Sequence, residues 1–320
     1  MLAGPRWRRT SRGLYVPATA VPSTTTQRLV EAAALLPAGG ALGGWAAACA
    51  WGADLLDGRD DHTLREQPVL LFLPPGQHRP ALPGVRYGQQ RLRPVEIATR
   101  SGLVLTTPSR TASDLVHDAP DLTEAVVALD ALLGAGLVEV ADLVATPGRR
   151  GARQARQACE LARAGVRSTW ETRLRLLYVL ELGLPAPLVN RAVHDGDGRF
   201  LGVPDLLDVE AGLVLEYDGA RWTGPGSRVV GGHRDRDQHR ADNVREELFE
   251  RAGLVVVRVD AVDMRRYRRR LLARIDAARA DGLRRDRRRD RWVLASRRSD
   301  RSSRAGDRES LLLDRPRLSP

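Results

Sequence analysis

The spacing of apolar positions divides the chain into helical and extended stretches. From Ser23 a helix is expected, capped by Thr24–Thr26, with Leu29, Ala32, Ala33 and Leu36 on one face and Pro37-Ala38-Gly39-Gly40 as its stop. Ala41–Leu55 reads as a second helix of small residues. Short strands are expected at Arg12–Pro17, Val69–Leu73, Gly84–Leu92 and Gly102–Thr106, each bounded by Gly or Pro. Ser109–Leu115 opens a helix, Leu122–Leu133 forms another with Ala125, Val126, Leu129 and Leu132 as its stripe, and Arg149–Ala164 reads as a linker helix.

The second half has a different rhythm. Ser168-Thr169-Trp170-Glu171 is a capping box opening a helix to about Leu182, with Trp170, Leu174, Leu177 and Leu180 inward. Val189–Val193, Phe200–Val209 and Leu213–Tyr217 follow as strands, the last two joined by a tight turn at Glu210-Ala211-Gly212. Asp237–Ala252 is helical, with Gly253 as its stop. Leu254–Val259 is almost wholly apolar, as in a strand covered on both faces, and Asp263–Ala280 is a last, basic helix. The order α-β-β-β-α-β-α gives a small mixed sheet flanked by helices. The chain is expected to be α/β throughout, with a small mixed domain over 1–150, a linker helix over 151–167, a second domain over 168–280 and a disordered basic tail over 281–320.

Composition narrows the functional classes. A chain of 320 residues that is 42% hydrophobic and 28% charged can bury a core, so wholesale disorder and fibrous repeats are excluded. The longest weakly polar stretch, Ala41–Leu56, is too short to span a bilayer, and residues 1–20 hold early arginines but no continuous apolar run, so neither a membrane span nor a secretory leader is expected. Two distant cysteines argue against a disulfide framework or a cysteine zinc site, and a cytoplasmic location fits. The net charge of +11 invites a polyanionic partner, DNA above all. All 51 basic residues are arginine, however, as the codon bias of a GC-rich genome would also give. Residues 281–320 hold 13 arginines against 7 acids, which leaves the rest of the chain only mildly basic.

The candidate chemistry lies in three acids. Asp205 and Glu216 fall at similar offsets from the Glu210–Gly212 turn, so a simple register sets them side by side on one face. Glu171 lies in the first turn of the helix entering the sheet, and Asp218 follows Glu216 by two residues toward the same face. Carboxylates on adjacent strands can hold a hard divalent cation, which activates water and neutralises charge on a phosphate. Each acid also has a plain structural reading: Glu171 as the capping-box glutamate, Asp205 as a strand-edge acid after Pro204, and Asp218-Gly219 as a turn. His233, His239 and Trp222 are further polar or stacking candidates. The Arg265–Arg270 run offers a phosphate track or a solvated face, and Leu311–Leu313 is a lone apolar cluster.

The run Ser168-x-x-Glu171-x-x-Leu174-Arg175, Gly183-Leu184-Pro185-x-Pro187, Pro204-Asp205, Val214-Leu215-Glu216-Tyr217-Asp218-Gly219 and Gly253-x-Val255-Val256-Val257-Arg258-Val259 resembles an actinobacterial nuclease-like domain. That domain is similar to the very-short-patch-repair branch of the PD-(D/E)xK, restriction-endonuclease-like superfamily. The resemblance covers about 167–278. It implies an αβββαβ(α) fold and a Mg²⁺- or Mn²⁺-dependent endonuclease in which Asp205, Glu216 and Glu171 bind the metal. With Asp218, these acids would form the catalytic set, and Arg240, Arg245 and Arg258 would contact phosphate. The superfamily's lysine two residues after the second acid is Asp218 here, and the acid-Lys-x-Arg run of related domains reads Asp242-Asn243-x-Arg245. Arg12–Pro17 and Thr106–Leu115 resemble the type IV abortive-infection antitoxin family, which implies a toxin–antitoxin setting and a protein partner for the N-terminal half. Two alternatives stay open: a non-catalytic nucleic-acid-binding or antitoxin-like regulator on a degenerate nuclease fold, and a decayed nuclease acting as an interaction scaffold.

Overall fold

The computed structural model describes residues 5–11, 13–20, 24–142, 151–218 and 244–294, and the chain is mixed α/β. It divides into two compact units, Met1–Arg173 and Leu174–Pro320.

The first unit opens with a two-stranded hairpin, β1 (Trp7–Ser11) and β2 (Leu14–Pro17). The sequence pattern anticipates only the second of these strands. A five-stranded sheet follows, in the order β5 (Val85–Gly88), β4 (Val69–Phe72), β3 (Ala41–Gly43), β7 (Leu103–Thr106), β6 (Ile97–Arg100). The β4–β5 and β3–β7 pairs are parallel; β3–β4 and β6–β7 are antiparallel.

The expected helix over Ala41–Leu55 instead begins as β3 and turns at Gly44 into α2 (Gly44–Trp51). Two glycines explain the switch. Gly44 adopts φ +58°, a conformation that L side chains avoid, and Gly43 lies so close to the Phe72 ring that a Cβ there would overlap it. α1 (Thr25–Ala33) and α2 cover this sheet, and Leu29, Leu42, Trp45, Leu71 and Leu105 meet in its core. α3 (Pro108–Asp118) starts where Thr107 caps the backbone and Pro108 takes the first turn, and α4 (Leu122–Gly134) is capped by Asp121. α5 (Ala152–Leu161), expected as a linker, packs on α3 and α4 with Ala155 and Ala158 buried.

α6 (Thr169–Leu176) continues into a π-helical turn, Leu177–Glu181. The widened turn changes the helical phase, so Leu174 and Leu177 are buried while Leu180 faces outward, against the expected inward stripe.

The second unit holds a four-stranded sheet ordered β13 (Val255–Val259), β12 (Leu213–Tyr217), β11 (Leu206–Asp208), β8 (Leu188–Val189). β8, β11 and β12 form an antiparallel meander, and β12 and β13 are parallel, with a helix over 244–251, here α7, between them in sequence. The strand expected over Phe200–Val209 is two strands, β10 (Phe200–Gly202) and β11, because Pro204 between them has no N–H for a ladder. Likewise Val189–Val193 divides into β8 and β9 (Val193–Asp195). β10, β9 and β14 (Trp292–Leu294) make a second, three-stranded sheet.

The last helix is broken at Tyr267 into α8 (Ala261–Arg266) and α9 (Arg268–Arg284). Residues 281–294, expected in a disordered tail, are ordered by specific contacts. Arg285 pairs with Asp290, a Cβ on Gly282 would overlap the Ala211 carbonyl, and β14 joins β9. Residues 295–320, Leu311–Leu313 among them, lie outside the described residues. Val193, Leu207, Val214, Phe249 and Leu254 form a core beneath these sheets.

Candidate functional site

The acids of the second unit gather at one end of its four-stranded sheet. β11 and β12 pair Leu206 with Leu215, Leu207 with Val214 and Asp208 with Leu213. Asp205 is the residue before β11, and Glu216 follows Leu215, the partner of Leu206, on β12. The half-buried Asp205 is fixed to its neighbours: its Oδ2 accepts the Tyr217 N–H at 2.7 Å, and its carbonyl accepts the Asn190 N–H at 3.0 Å.

Glu216 is buried, 9% exposed, and lies in register with Arg258 on the parallel β13. Two consecutive residues of α7 meet this pair of strands with alternating charge. Arg245 donates to Glu216 Oε2 at 3.1 Å, and Glu246 takes the Arg258 Nε at 3.0 Å. Arg245 and Arg258 are thus anchored beside the acids by carboxylates. Asp218 extends the β12–β13 ladder, donating its N–H to the Val259 carbonyl at 2.8 Å. As the second residue after Glu216 it keeps to that side chain's face of the strand.

Glu171 belongs to the first unit. Its N–H donates to Ser168 Oγ at 3.1 Å, and its carboxylate accepts the Arg167 N–H at 2.9 Å, so its described bonds are those of a helix cap. Arg240, His233, His239 and Trp222 lie outside the described residues.

Among the described residues, no group of three or more His, Cys, Asp or Glu side chains could hold a metal ion. Asp205 and Glu216 are the two expected metal ligands that lie at neighbouring strands of this sheet. Their chemistry suits Mg²⁺ or Mn²⁺: Mg²⁺ is commonly bound by one or two carboxylates, with water and substrate phosphate completing the shell.

Sequence reasoning missed a second polar centre on the same hairpin. Tyr178, fully buried, donates its hydroxyl to Asp208 Oδ2, which also receives Arg279 Nε at 2.9 Å. Asp208 Oδ1 accepts the N–H groups of Glu210 and Ala211 at 2.9 and 3.1 Å, closing the turn, and Arg279 reaches Glu210 as well at 3.1 Å. Burial raises the Asp208 carboxyl, but the hydroxyl, the Ala211 N–H and the Arg279 guanidinium together hold it below the usual carboxylate range. Burial and the adjacent Asp208 push the Tyr178 hydroxyl well above the ordinary tyrosine value. The centre ties α6's continuation, the β11–β12 turn and α9 together. The sequence signal for it is Asp208 itself, an acid within an apolar strand. Its partners stand 30 and 71 residues away.

In the first unit, Arg173 is buried and forks onto Glu124 with Nε and one NH₂ group, both at 2.8 Å, while its other NH₂ group reaches Asp61 at 2.7 Å. Among the described residues, no helix is long and apolar enough to cross a membrane. Comparison with protein-family models, with curated proteins and with solved structures found no match.

Proposed function

We propose that the chain is a divalent-metal-dependent endonuclease acting on DNA, in repair or defence. The observation that carries this reading is the pairing of β11 with β12, which brings Asp205, the residue before β11, against the strand that carries Glu216, where its Oδ2 accepts the Tyr217 N–H at 2.7 Å. The sheet around them supports it. An antiparallel β8–β11–β12 meander, a helix, and β13 parallel to β12 is the order that the resemblance to restriction-endonuclease-like domains implies.

Asp205 and Glu216 are the residues to hold Mg²⁺ or Mn²⁺, with water and substrate phosphate completing the shell. When bound, the ion supplies water activation and neutralises charge on the scissile phosphate. The chain's own groups do the rest. Arg245 and Arg258 bring guanidinium donors to a phosphate, and a fork of N–H groups suits that geometry. Arginine stays protonated and cannot take a proton from water. In a chain without lysine, the Asp218 carboxylate is the group at the lysine's position that can.

A second reading is a non-catalytic nucleic-acid-binding protein on the same fold. The Arg245–Glu216 ion pair favours it, because it places a cation on Glu216 Oε2 without a metal.

The test is cleavage of plasmid and of short single- and double-stranded DNA with Mg²⁺ or Mn²⁺, comparing wild type with Glu216→Gln. Metal-dependent nicking that the variant loses supports the nuclease. Salt-sensitive DNA retention without cleavage overturns it in favour of the binding protein. Neither cleavage nor retention overturns both and leaves the arginine excess to codon bias.

A further inference from the structure

The first unit contains a cavity of about 440 Å³, within the size range of small-molecule sites. Its lining includes apolar side chains, Trp45, Leu56, Leu70 and Leu115 among them. The rest of the lining reverses the sign of the whole protein. The chain carries 51 arginines against 40 acids, yet six carboxylates line this cavity against three arginines, and with Arg110, which pairs Asp114 at 2.9 Å, the acids still outnumber the cations.

The carboxylates are held in place. Asp121 caps α4 by accepting the Glu124 N–H at 2.9 Å. Asp60 accepts the N–H groups of His62 and Thr63 at 3.0 and 2.6 Å. Glu124 and Asp61 are fixed by Arg173. Asp118 is the last residue of α3, where the helix dipole adds negative potential. A preformed cavity with apolar lining and a surplus of fixed negative charge selects a cation that carries hydrocarbon.

We propose that this cavity binds a small organic cation: a guanidinium or alkylammonium head on a short aliphatic stem. The stem lies against the apolar side chains and the head among the carboxylates. Such a head is offered by a free amine or by an arginine side chain of a peptide. The proposal stands apart from the nuclease reading, because every residue it uses lies in the first unit.

The experiment is calorimetric titration of the full chain with agmatine, with N-acetylarginine amide and with glutarate as an anion of similar length. Agmatine is expected to bind saturably and glutarate not to bind. Tighter binding of the amide than of agmatine identifies a peptide arginine as the occupant; weaker binding identifies a free amine. Asp118→Asn/Asp121→Asn removes two charges without changing volume, and Asn caps a helix as well as Asp does. It is expected to weaken agmatine about tenfold or more. Asp281→Asn in the second unit, and Glu216→Gln, should leave binding unchanged. Asp118→Asn alone, on an exposed side chain, repeats the test if the double variant does not fold. Absence of saturable agmatine and amide binding up to about 10 mM, a range corresponding to only a few kcal/mol, overturns the proposal. So does equal binding of glutarate, or agmatine binding that the Asn variants retain in full.

Discussion

The Tyr178 hydroxyl gives the sharpest quantitative test of how the second unit is held together. Tyr178→Phe removes one atom from a fully buried ring and leaves its packing intact. The lost bond is to a carboxylate, and hydrogen bonds to charged groups contribute about 1.5–3 kcal/mol. Asp208 keeps Arg279 and two backbone N–H groups, so the lower half of that range applies, about 2 kcal/mol. In a unit of this size that corresponds to a fall in Tm of roughly 4–8 °C.

The pH dependence carries more information than the magnitude at one pH. The Tyr178 hydroxyl ionises at a higher pH in the folded than in the unfolded protein, so its contribution is complete below the unfolded pKa of about 10. It is lost as pH rises from there toward the folded value, at up to about 1.4 kcal/mol per pH unit. Phenylalanine has no such loss, and the other tyrosines cancel between the two proteins. The difference between wild type and variant should therefore shrink from about 2 kcal/mol at pH 8 to under about 1 kcal/mol one unit above the unfolded tyrosine pKa. Asp208 acts at the other limb. Its folded pKa is depressed, so its contribution is present above the unfolded carboxylate pKa of about 4 and is lost as pH falls through the folded value. The variant loses one source of that depression and should show a shallower acid limb. Urea unfolding followed by circular dichroism from pH 3 to 11 reads both limbs. A difference under about 0.5 kcal/mol at pH 8, or one that does not change with pH, refutes the reasoning.

Three further outcomes follow from the packing. Leu207→Ala, at a fully buried position in β11, should cost about 3 kcal/mol in urea unfolding. Gly282→Ala sets a Cβ against the Ala211 carbonyl and forces α9 off the hairpin turn; a loss of about 2 kcal/mol or more is expected, and protease sensitivity of the 281–294 segment should rise with it. Arg173→Met leaves Glu124 and Asp61 facing each other without their cation and should cost about 3 kcal/mol, toward the lower end for buried pairs because both carboxylates are partly exposed. Thermal unfolding measures that loss, and Glu124→Gln added to Arg173→Met should recover part of it.

The parts of the fold legible in the sequence are those whose signal is local. Thr24–Thr26 and the Ser168–Glu171 box mark helix starts because caps act within four residues. Leu213–Tyr217 and Val255–Val259 declare themselves as strands because their apolar runs are short and bounded by turn residues. Signals that depend on a distant partner are missed. Ala41–Gly43 has a helix former's composition, but the Phe72 ring needs the space its glycine leaves. Ile97–Arg100 shows no strong pattern, since it is an edge strand covered on little of either face. β14 lies in a run of arginines and forms because β9 offers it a ladder.

The candidate site follows the same division, and the division bears on its chemistry. The pairing of β11 with β12 is readable from the sequence because a four-residue turn leaves little freedom of register. Glu171's described bonds are equally local, and they are those of a helix cap. What no local reading supplies is the environment that sets the charge on the pair. Glu216 is buried against Arg245, which comes from a helix 29 residues on, and Asp205 is bonded to the backbone of β12. A buried carboxylate needs compensation, and here one cation already supplies it. For the nuclease reading, the ion must then bind in exchange for, or beside, that guanidinium. Arg245→Met therefore separates the two functions. If Glu216 serves a metal, removing the competing cation should tighten Mn²⁺ binding, measured by the line broadening of free Mn²⁺, even as phosphate contact is weakened. If the ion pair is the purpose of Glu216, the same variant should lose stability and gain no affinity for Mn²⁺. That result would overturn the nuclease proposal in favour of the binding protein.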